Sequence, residues 1–240
     1  SIQKTMCTVS FVCANGKIII TSNRDEQIVR PSIPPKNYLI NNKKIIFPKD
    51  PKAGGTWFAV DDDATVLVLL NGAAEKHQWQ PPYRKSRGLI VLDIISEVNP
   101  LQSWESIDLN AIEPFTMVLY QEQKLYQLRW NGDQKETLIL DKSQNYIWSS
   151  STLYSQEIRN RRASWFYHFL ETSPDVSEKE LMHFHQHTHV DNTENGLVIN
   201  RNDSLRTLSI TQAVIEQNKV NLLHYDLMNK DKFANSFVIL

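Results

Sequence analysis

The stretch MCTVSFVCANGKIIITSNRDEQ, residues 6–27, predicts how the fold begins. Val, Ile, Thr and Phe are frequent in Thr8–Cys13 and Lys17–Ser22, which is typical of strands. Asn15-Gly16 between them is the dipeptide that favours a two-residue hairpin turn. The first two elements are therefore expected to form an antiparallel hairpin.

The register of this hairpin brings a cysteine beside a polar cluster. If the Asn-Gly dipeptide supplies both turn residues, Ala14 faces Lys17 and Cys7 faces Arg24. The cluster Asn23–Glu26 then ends an apolar strand next to Cys7. Two interpretations of Cys7 stay open. It is either a small apolar side chain on one face of a strand, as most cysteines are, or a nucleophile.

As a nucleophile, Cys7 would depend on its own α-amine, since no Cys-His signature lies near it. A terminal α-amine titrates near pH ~8 and can act as a base. Met6 precedes a small residue and would normally be removed if translation began there, which would expose Cys7. Arg24 would favour the thiolate, and an aspartate in the polar cluster could hold the α-ammonium.

The composition limits the classes of partner. The 240 residues are 41% hydrophobic and 22% charged, with a net charge of −1, an ordinary globular mix. No basic field indicates nucleic acid or an anionic membrane. Apolar runs such as Val66–Leu70 are too short for a membrane span, and the N-terminus lacks a secretory pattern. We therefore expect a cytoplasmic protein without a cofactor.

The two cysteines and a histidine-rich stretch are the candidates for a disulfide bond or a metal site. Cys7 and Cys13 would share a strand face but lie too far apart for a disulfide, and two cysteines alone cannot form a structural zinc site. The stretch HFHQHTH, His183–His189, would place four histidines on one face if it formed a strand, and this arrangement is one candidate for a transition-metal site. On a helix only the pairs His183/His187 or His185/His189 would be neighbours. The stretch lies at the end of a predicted helix and is followed by polar residues, which favours a solvated or partly packed surface over a metal site.

The remaining elements alternate between groups of strands and groups of helices. A long loop is predicted over Gln27–Pro51, which contains five prolines, and a loop of that length usually has a function, such as covering a site. Helices are predicted at Ser86–Val98, Ser155–Leu170 and Ser177–Gln186. Further strands are predicted at Trp57–Val60, Thr65–Leu70, Phe115–Tyr120, Lys124–Trp130, Glu136–Leu140, Tyr146–Ser149, Leu205–Thr211, Asn221–Leu227 and Phe233–Ile239. This order indicates an α+β fold with antiparallel sheets.

Several motifs together resemble one family. They are MCTVSF (Met6–Phe11), NRDE (Asn23–Glu26), RPS (Arg30–Ser32), GGTW (Gly54–Trp57), SRG (Ser86–Gly88) and LRTLSIT (Leu205–Thr211). In this order they resemble the NRDE family, also called the transport and Golgi organisation protein 2 family. The resemblance covers nearly the whole chain.

The resemblance implies an N-terminal-nucleophile (Ntn) hydrolase fold, a four-layer αββα sandwich of antiparallel sheets between helical layers. Residues 1–6 would be an N-terminal extension or unprocessed leader, and residues 7–240 a single domain. Related enzymes with an N-terminal cysteine, the bile-salt hydrolases and penicillin V acylases, cleave non-peptide amides.

Site residues follow from the same resemblance. Cys7 would be nucleophile and base, Asp25 would orient its amine, and Asn71 would stabilise the oxyanion. Arg206 would be a distal cation. In those enzymes an arginine stands three residues before the aspartate; that position is Ser22 here, so Arg24 would take its place.

Two further residues complete the candidate site. Ser150 stands where the family commonly has Asn, a better donor. Trp57, directly after the glycine pair, is expected near a pocket. The partner would be a small-molecule amide. The alternative is a non-catalytic member of the fold that binds or traffics a hydrophobic ligand or metabolite.

Overall fold

The structure is a computed structural model that describes residues 6–240, and of residue 6 it describes the backbone alone. The N-terminal extension predicted for residues 1–6 therefore lies outside the described residues, except for the backbone of residue 6. The strands are β1 (Met6–Ala14), β2 (Lys17–Gln27), β3 (Ile33–Ile40), β4 (Lys43–Lys49), β5 (Phe58–Asp61), β6 (Val66–Asn71), β7 (Phe115–Gln121), β8 (Lys124–Trp130), β9 (Lys135–Leu140), β10 (Tyr146–Ser149), β11 (Asn200–Arg201), β12 (Leu205–Glu216), β13 (Lys219–Asp226) and β14 (Asp231–Val238). The helices are α1 (Arg87–Ile95), α2 (Pro100–Ser106), α3 (Gln156–Glu171) and α4 (Glu178–His187).

The chain divides into two compact units, each with its own sheet. The β3–β9 unit comprises residues 31–142 and 239–240, and its seven strands follow chain order from β3 to β9. The β1–β2 unit comprises the described residues of 6–30 and 143–238. Its sheet has the order β10-β1-β2-β12-β13-β14, with β11 paired to β12. The pairings in both sheets are antiparallel, so the predicted α+β class is confirmed.

The β1–β2 hairpin has the predicted register. Asn15 and Gly16 have φ angles of 53° and 72°, the left-handed conformation that a type I′ turn requires at both positions. Ala14 is paired with Lys17, and Cys7 with Arg24. This hairpin is central in its sheet, because β10 pairs with the far side of β1 and β12 with the far side of β2.

Helices α3 and α4 cover one face of the β1–β2 sheet. Val12 and Ile19 from the hairpin pack with Phe166 of α3 and with Leu181 and Phe184 of α4, all of them buried. Burying each such side chain contributes about 2 kcal/mol. Because side chains alternate along a strand, even-numbered residues of β1 face these helices and odd-numbered ones face away from them.

The long loop predicted over Gln27–Pro51 is wrong, because this segment contains the β3–β4 hairpin. The prolines misled the prediction. Pro34 and Pro35 lie in β3, which is the edge strand of its sheet, where a missing N–H is tolerated. The register shifts at this point, between Ile33 and Lys36.

Two glycine motifs meet in the β3–β9 unit. A Cβ placed on Gly55 would lie 2.3 Å from the carbonyl carbon of Gly88, closer than any side chain permits. Thr56 N donates to Gly88 O across 3.2 Å. Ser86 caps α1 and accepts a hydrogen bond from Leu89 N. The GGTW and SRG motifs are thus the two sides of one backbone contact.

Candidate functional site

Cys7 lies on the face of β1 that points away from α3 and α4, opposite Arg24. Its side chain is 2% exposed. Burial raises the pKa of the Cys7 thiol above its ordinary value, and the negative charge of Asp25 raises it further. The charge of Arg24 and the hydroxyl of Ser22 act in the opposite direction. With Met6 attached, the thiol is therefore held in its protonated form.

Arg24 is itself buried and oriented within the β1–β2 unit. Its Nη1 donates to the carbonyl oxygen of Arg30 across 3.2 Å. Its Nη2 lies 3.8 Å from Oε2 of Glu26, which is also 4.0 Å from Nη1 of Arg30. The Glu26 carboxylate thus balances part of the positive charge next to Cys7.

Asp25 is a buried carboxylate held by two hydroxyl groups. It is paired in the strand ladder with Met6, the residue before Cys7. Thr207 Oγ1 donates to Oδ1 across 2.6 Å, and the Tyr154 hydroxyl donates to Oδ2 across 2.8 Å. Burial raises the pKa of Asp25, and the charge of Arg162 and both hydroxyl groups oppose that rise.

Arg162 of α3 is a residue that the sequence did not suggest for the site. It is completely buried, and its Nη1 donates to Thr8 Oγ1 and to Ser149 Oγ. Its Nη2 donates to Gly196 O across 2.5 Å. The signal that points to it is a charged residue among the apolar positions of a predicted helix, where an arginine is seldom found unless it is paired.

Ser150 and Arg206 belong to the same unit. Ser150 N donates to Cys7 O across 3.1 Å, which fixes the backbone at the candidate nucleophile. Arg206 Nε donates to Asn200 Oδ1 across 3.1 Å, and its Nη2 donates to Asp203 Oδ1 across 2.6 Å. The Arg206 side chain is thus held in one orientation by its neighbours.

A cleft of about 310 Å³ in this unit is lined in part by Arg206 and Thr207. Apolar walls come from Leu227, Val190 and Met228, and the last two are 47% and 40% exposed. Since Thr207 also donates to Asp25, the cleft adjoins the residues that hold the candidate carboxylate.

Asn71 and Trp57 belong to the β3–β9 unit. Asn71 is the last residue of β6, paired with Phe115 of β7, and it is buried. Gly72 N, directly after it, donates to Pro114 O across 3.0 Å. Trp57 is 3% exposed just before β5. The catalytic role of Asn71 and the pocket role of Trp57 stay predictions.

The histidine-rich stretch is helical as far as His187, so its strand alternative is wrong. The rings of His183 and His187 are 4.4 Å apart. His185 faces the opposite way, where Ser10 Oγ lies 2.6 Å from Nε2 and Asn23 Oδ1 lies 2.7 Å from Nδ1. Burial lowers the pKa of His185 to about 3, so this ring is neutral. Within residues 6–240, no group of three or more His, Cys, Asp or Glu side chains is arranged to hold a metal ion.

A family model described as Transport and Golgi organisation 2 matches residues 6–222. The chain belongs to this family. The match begins one residue before Cys7 and includes all seven candidate site residues. A search of curated proteins found no match. In the portion of this family member from residue 6 to residue 240, no helix is long and apolar enough to cross a membrane.

Solved structures that share this fold include hydrolases. A mutant of the conjugated bile acid hydrolase from Clostridium perfringens has a TM-score of 0.61 and 10% identity, covering 97% of this chain and 92% of that one. Another variant of that hydrolase has a TM-score of 0.60 and 10% identity, with coverages of 95% and 92%. An N-acylethanolamine-hydrolyzing acid amidase ortholog from Caenorhabditis elegans has a TM-score of 0.61 and 11% identity, with coverages of 86% and 92%. These TM-scores show that the Transport and Golgi organisation 2 chain shares their fold, and at identities this low the likeness extends to the fold alone.

The four residues of the NRDE motif have four different structural tasks in this family member. Asn23 Nδ2 donates to the carbonyl oxygens of His185 and Leu197, across 2.9 and 2.8 Å. Arg24 is paired with Cys7 in the strand ladder, and Asp25 accepts hydrogen bonds from two hydroxyl groups. The Glu26 carboxylate balances part of the charge of Arg24. Asn23 and Asp25 lie on the helix side of β2, whereas Arg24 lies on the Cys7 side, as strand alternation requires.

Proposed function

We propose that the chain is a cysteine amidohydrolase that cleaves a non-peptide C–N amide bond of a small molecule. Cys7 is the nucleophile once its α-amine is free. The observation that carries this proposal is the hairpin register. It pairs Cys7 with the cation of Arg24, and it pairs the preceding residue with Asp25, whose carboxylate is fixed by Tyr154 and Thr207.

The reaction needs one proton carrier. The free α-amine of Cys7 accepts the thiol proton, and the thiolate forms a C–S bond with the amide carbonyl carbon. The resulting α-ammonium gives its proton to the leaving nitrogen as the C–N bond breaks, which leaves a thioester. Water then loses a proton to the amine, attacks the thioester carbon and breaks the C–S bond, and the ammonium reprotonates the sulfur.

Other residues take the roles that the family resemblance gives them. Asp25 holds the α-ammonium, and Arg24 favours the thiolate. Asn71 donates to the oxyanion, a contribution worth about 3–4 kcal/mol of barrier. Ser150, Arg206 and Trp57 are proposed to bind substrate.

The proposed substrate class is supported by the structural similarity to two hydrolases. The structurally similar proteins are named for hydrolysing conjugated bile acids and N-acylethanolamines. For this chain we propose an amide of comparable kind, outside ordinary peptide bonds. The cytoplasmic location expected from the sequence stays a prediction.

The test compares two forms of the chain on a panel of small N-acyl amides. One form begins at Cys7, produced by cleaving an N-terminal fusion directly before it, and the other retains Met6. We expect hydrolysis, and a covalent acyl group on Cys7 by mass spectrometry, with the first form alone. Cys7→Ala should abolish both, and Cys13→Ala serves as the matched control. Hydrolysis that persists after Cys7→Ala would refute the proposal.

A second candidate function is a non-catalytic protein that binds a hydrophobic ligand. The cleft beside Arg206, with exposed Val190 and Met228 on its walls, favours it, as does the buried thiol. Native mass spectrometry of purified protein would find a bound small molecule in wild type and Cys7→Ala alike. If Met228→Gln leaves the bound ligand in place, the cleft is not its site.

A further inference from the structure

Two hydroxyl groups and one guanidinium form a buried assembly around Asp25. Tyr154 is 1% exposed and donates to Asp25 Oδ2 across 2.8 Å. The guanidinium carbon of Arg162 lies 3.7 Å from the centre of the Tyr154 ring. Arg162 therefore acts on Asp25 through Tyr154 as well as through its charge.

We propose that Tyr154 and Arg162 are positioning residues for the Cys7 amine. Tyr154 fixes the Asp25 carboxylate that receives the α-ammonium, and Arg162 fixes both Tyr154 and the strand that carries Cys7. This inference rests on the proposed function, and it adds two residues to which the family resemblance gave no role.

The Asp25 carboxylate has a fixed orientation. Asp25 accepts from Tyr154 on one oxygen and from Thr207 on the other, so neither oxygen can turn without losing a bond. Hydrogen bonds to an ionised group are about twice as strong as neutral ones. A cation on the face of the phenol ring is attracted by its electrons and holds the ring in place. The carboxylate is thus set in one geometry before an amine is present.

Arg162 also positions the strand that carries Cys7. The same guanidinium donates to Thr8 Oγ1, on the residue after Cys7, and to Ser149 Oγ, on the residue paired with Thr8 in β10. Arg162 therefore connects the strand that carries Cys7 to the ring that orients Asp25. A small shift of α3 would move both, and misplacing a reacting group by 1 Å can cost about 100-fold in rate.

Two arginines and two hydroxyl groups act on the Asp25 carboxylate. Arg162 and Arg201 face it with positive charge, Tyr154 and Thr207 donate to it, and the Cys7 thiol interacts with it. Arg201 also lies near the Tyr154 ring, 5.6 Å from its centre. A free α-ammonium at Cys7 would be a third cation, and Asp25 is the carboxylate placed to hold it.

The test is a titration that needs no substrate. In the chain that begins at Cys7 and carries ¹⁵N-labelled cysteine, NMR follows the α-amine as the pH changes. Removing the Tyr154 hydroxyl loosens the Asp25 carboxylate, so the α-ammonium loses stabilisation and gives up its proton at lower pH. We expect Tyr154→Phe to lower the amine pKa by about half a pH unit or more, and Asp25→Asn to lower it further. Tyr167→Phe, which removes an exposed hydroxyl of α3 that bonds Asn145 O, should leave it unchanged.

Kinetics of the same chains give the second readout. Tyr154→Phe should lower kcat by about 10-fold or more with KM nearly unchanged. In a double variant, Tyr154→Phe should lower kcat little further than Asp25→Asn alone, because both substitutions act on the same carboxylate. An amine pKa in Tyr154→Phe equal to that of wild type would overturn the proposal. Absence of hydrolysis by the wild-type chain, together with a shifted amine pKa, would instead count against the proposed function and leave the positioning role supported.

Discussion

The guanidinium of Arg162 stacks on the ring of Tyr154, with 3.7 Å between its central carbon and the ring centre. Both side chains are buried, so the cation is satisfied by protein groups. Those groups come from three parts of the chain: Thr8 in β1, Ser149 in β10, and the carbonyl oxygens of residues 195 and 196. One side chain of α3 thus links the helix, two strands and a loop.

Replacing Arg162 should strongly destabilise the protein. Arg162→Met keeps a long apolar stem but leaves the Thr8 and Ser149 hydroxyl groups without their donor. It also removes the positive charge that most strongly opposes the rise in the Asp25 pKa. We expect a loss of about 3–5 kcal/mol in the free energy of unfolding, measured by urea denaturation. The adjacent Arg161 pairs at the surface with Glu157, across 2.8 Å. Arg161→Met should therefore cost about 0.5 kcal/mol or less. Similar losses for the two variants would contradict this assignment.

Local patterns in the sequence predicted the elements that depend on local chemistry. Asn15-Gly16 determined the hairpin and its register, and with it the pairing of Cys7 with Arg24. The helices predicted from Ser155 and from Ser177 are present, and the structure shows that both serines cap them. These features are decided by residues close together in the chain, so a single sequence contains their signal.

Contacts between distant residues could not be predicted in this way. Asp25 is held by Tyr154 and Thr207, which lie 129 and 182 positions away. No local pattern records which hydroxyl will face a carboxylate after folding. The β3–β4 hairpin was missed for a related reason, since proline disfavours a strand locally but is tolerated at the edge of a sheet, and that edge is defined by the tertiary fold.

The contact between the two glycine motifs gives a prediction about stability. In Gly55→Ala the new Cβ would lie 2.3 Å from Gly88 C and 2.6 Å from its oxygen, so the backbone must move apart. We expect a loss of roughly 3 kcal/mol. At Gly16 nothing lies within 4 Å, and its φ of +72° makes alanine strained but not crowded. Gly16→Ala should then cost only about 1 kcal/mol, and equal losses in thermal or urea unfolding would show that the backbone contact is looser than described.

His185 should make stability depend on pH. Burial lowers its pKa to about 3 in the folded state, against about 6.5 when unfolded. Below pH ~6.5 this histidine binds a proton in the unfolded chain but stays unprotonated in the folded chain until the pH approaches 3. The contribution is therefore complete above pH ~6.5 and is lost as the pH falls towards 3. Between pH 7.5 and pH 5 the loss from this residue is about 2 kcal/mol.

The measurement compares urea denaturation of wild type and His185→Gln at those two pH values. Glutamine can still accept from Ser10 and donate to Asn23 but does not titrate, so the variant should lose about 2 kcal/mol less than wild type on acidification. His183→Gln, on the exposed side of the same helix, should behave as wild type. An identical pH dependence in His185→Gln would mean that this histidine is not held neutral.

The two thiols should react at different rates, and their order should depend on whether Met6 is present. With Met6 attached, Cys7 is 2% exposed and burial raises its pKa, whereas Cys13 is partly exposed. The thiolate is the reactive form, so iodoacetamide at pH 8 should alkylate Cys13 at least about 10-fold faster, as peptide mass spectrometry would measure. In the chain that begins at Cys7, the neighbouring α-amine takes up the thiol proton, and Cys7 should become the faster site. A Cys13→Ser chain isolates the rate of Cys7 in both forms, and a Cys7 rate that does not rise on loss of Met6 would argue against an amine-activated nucleophile.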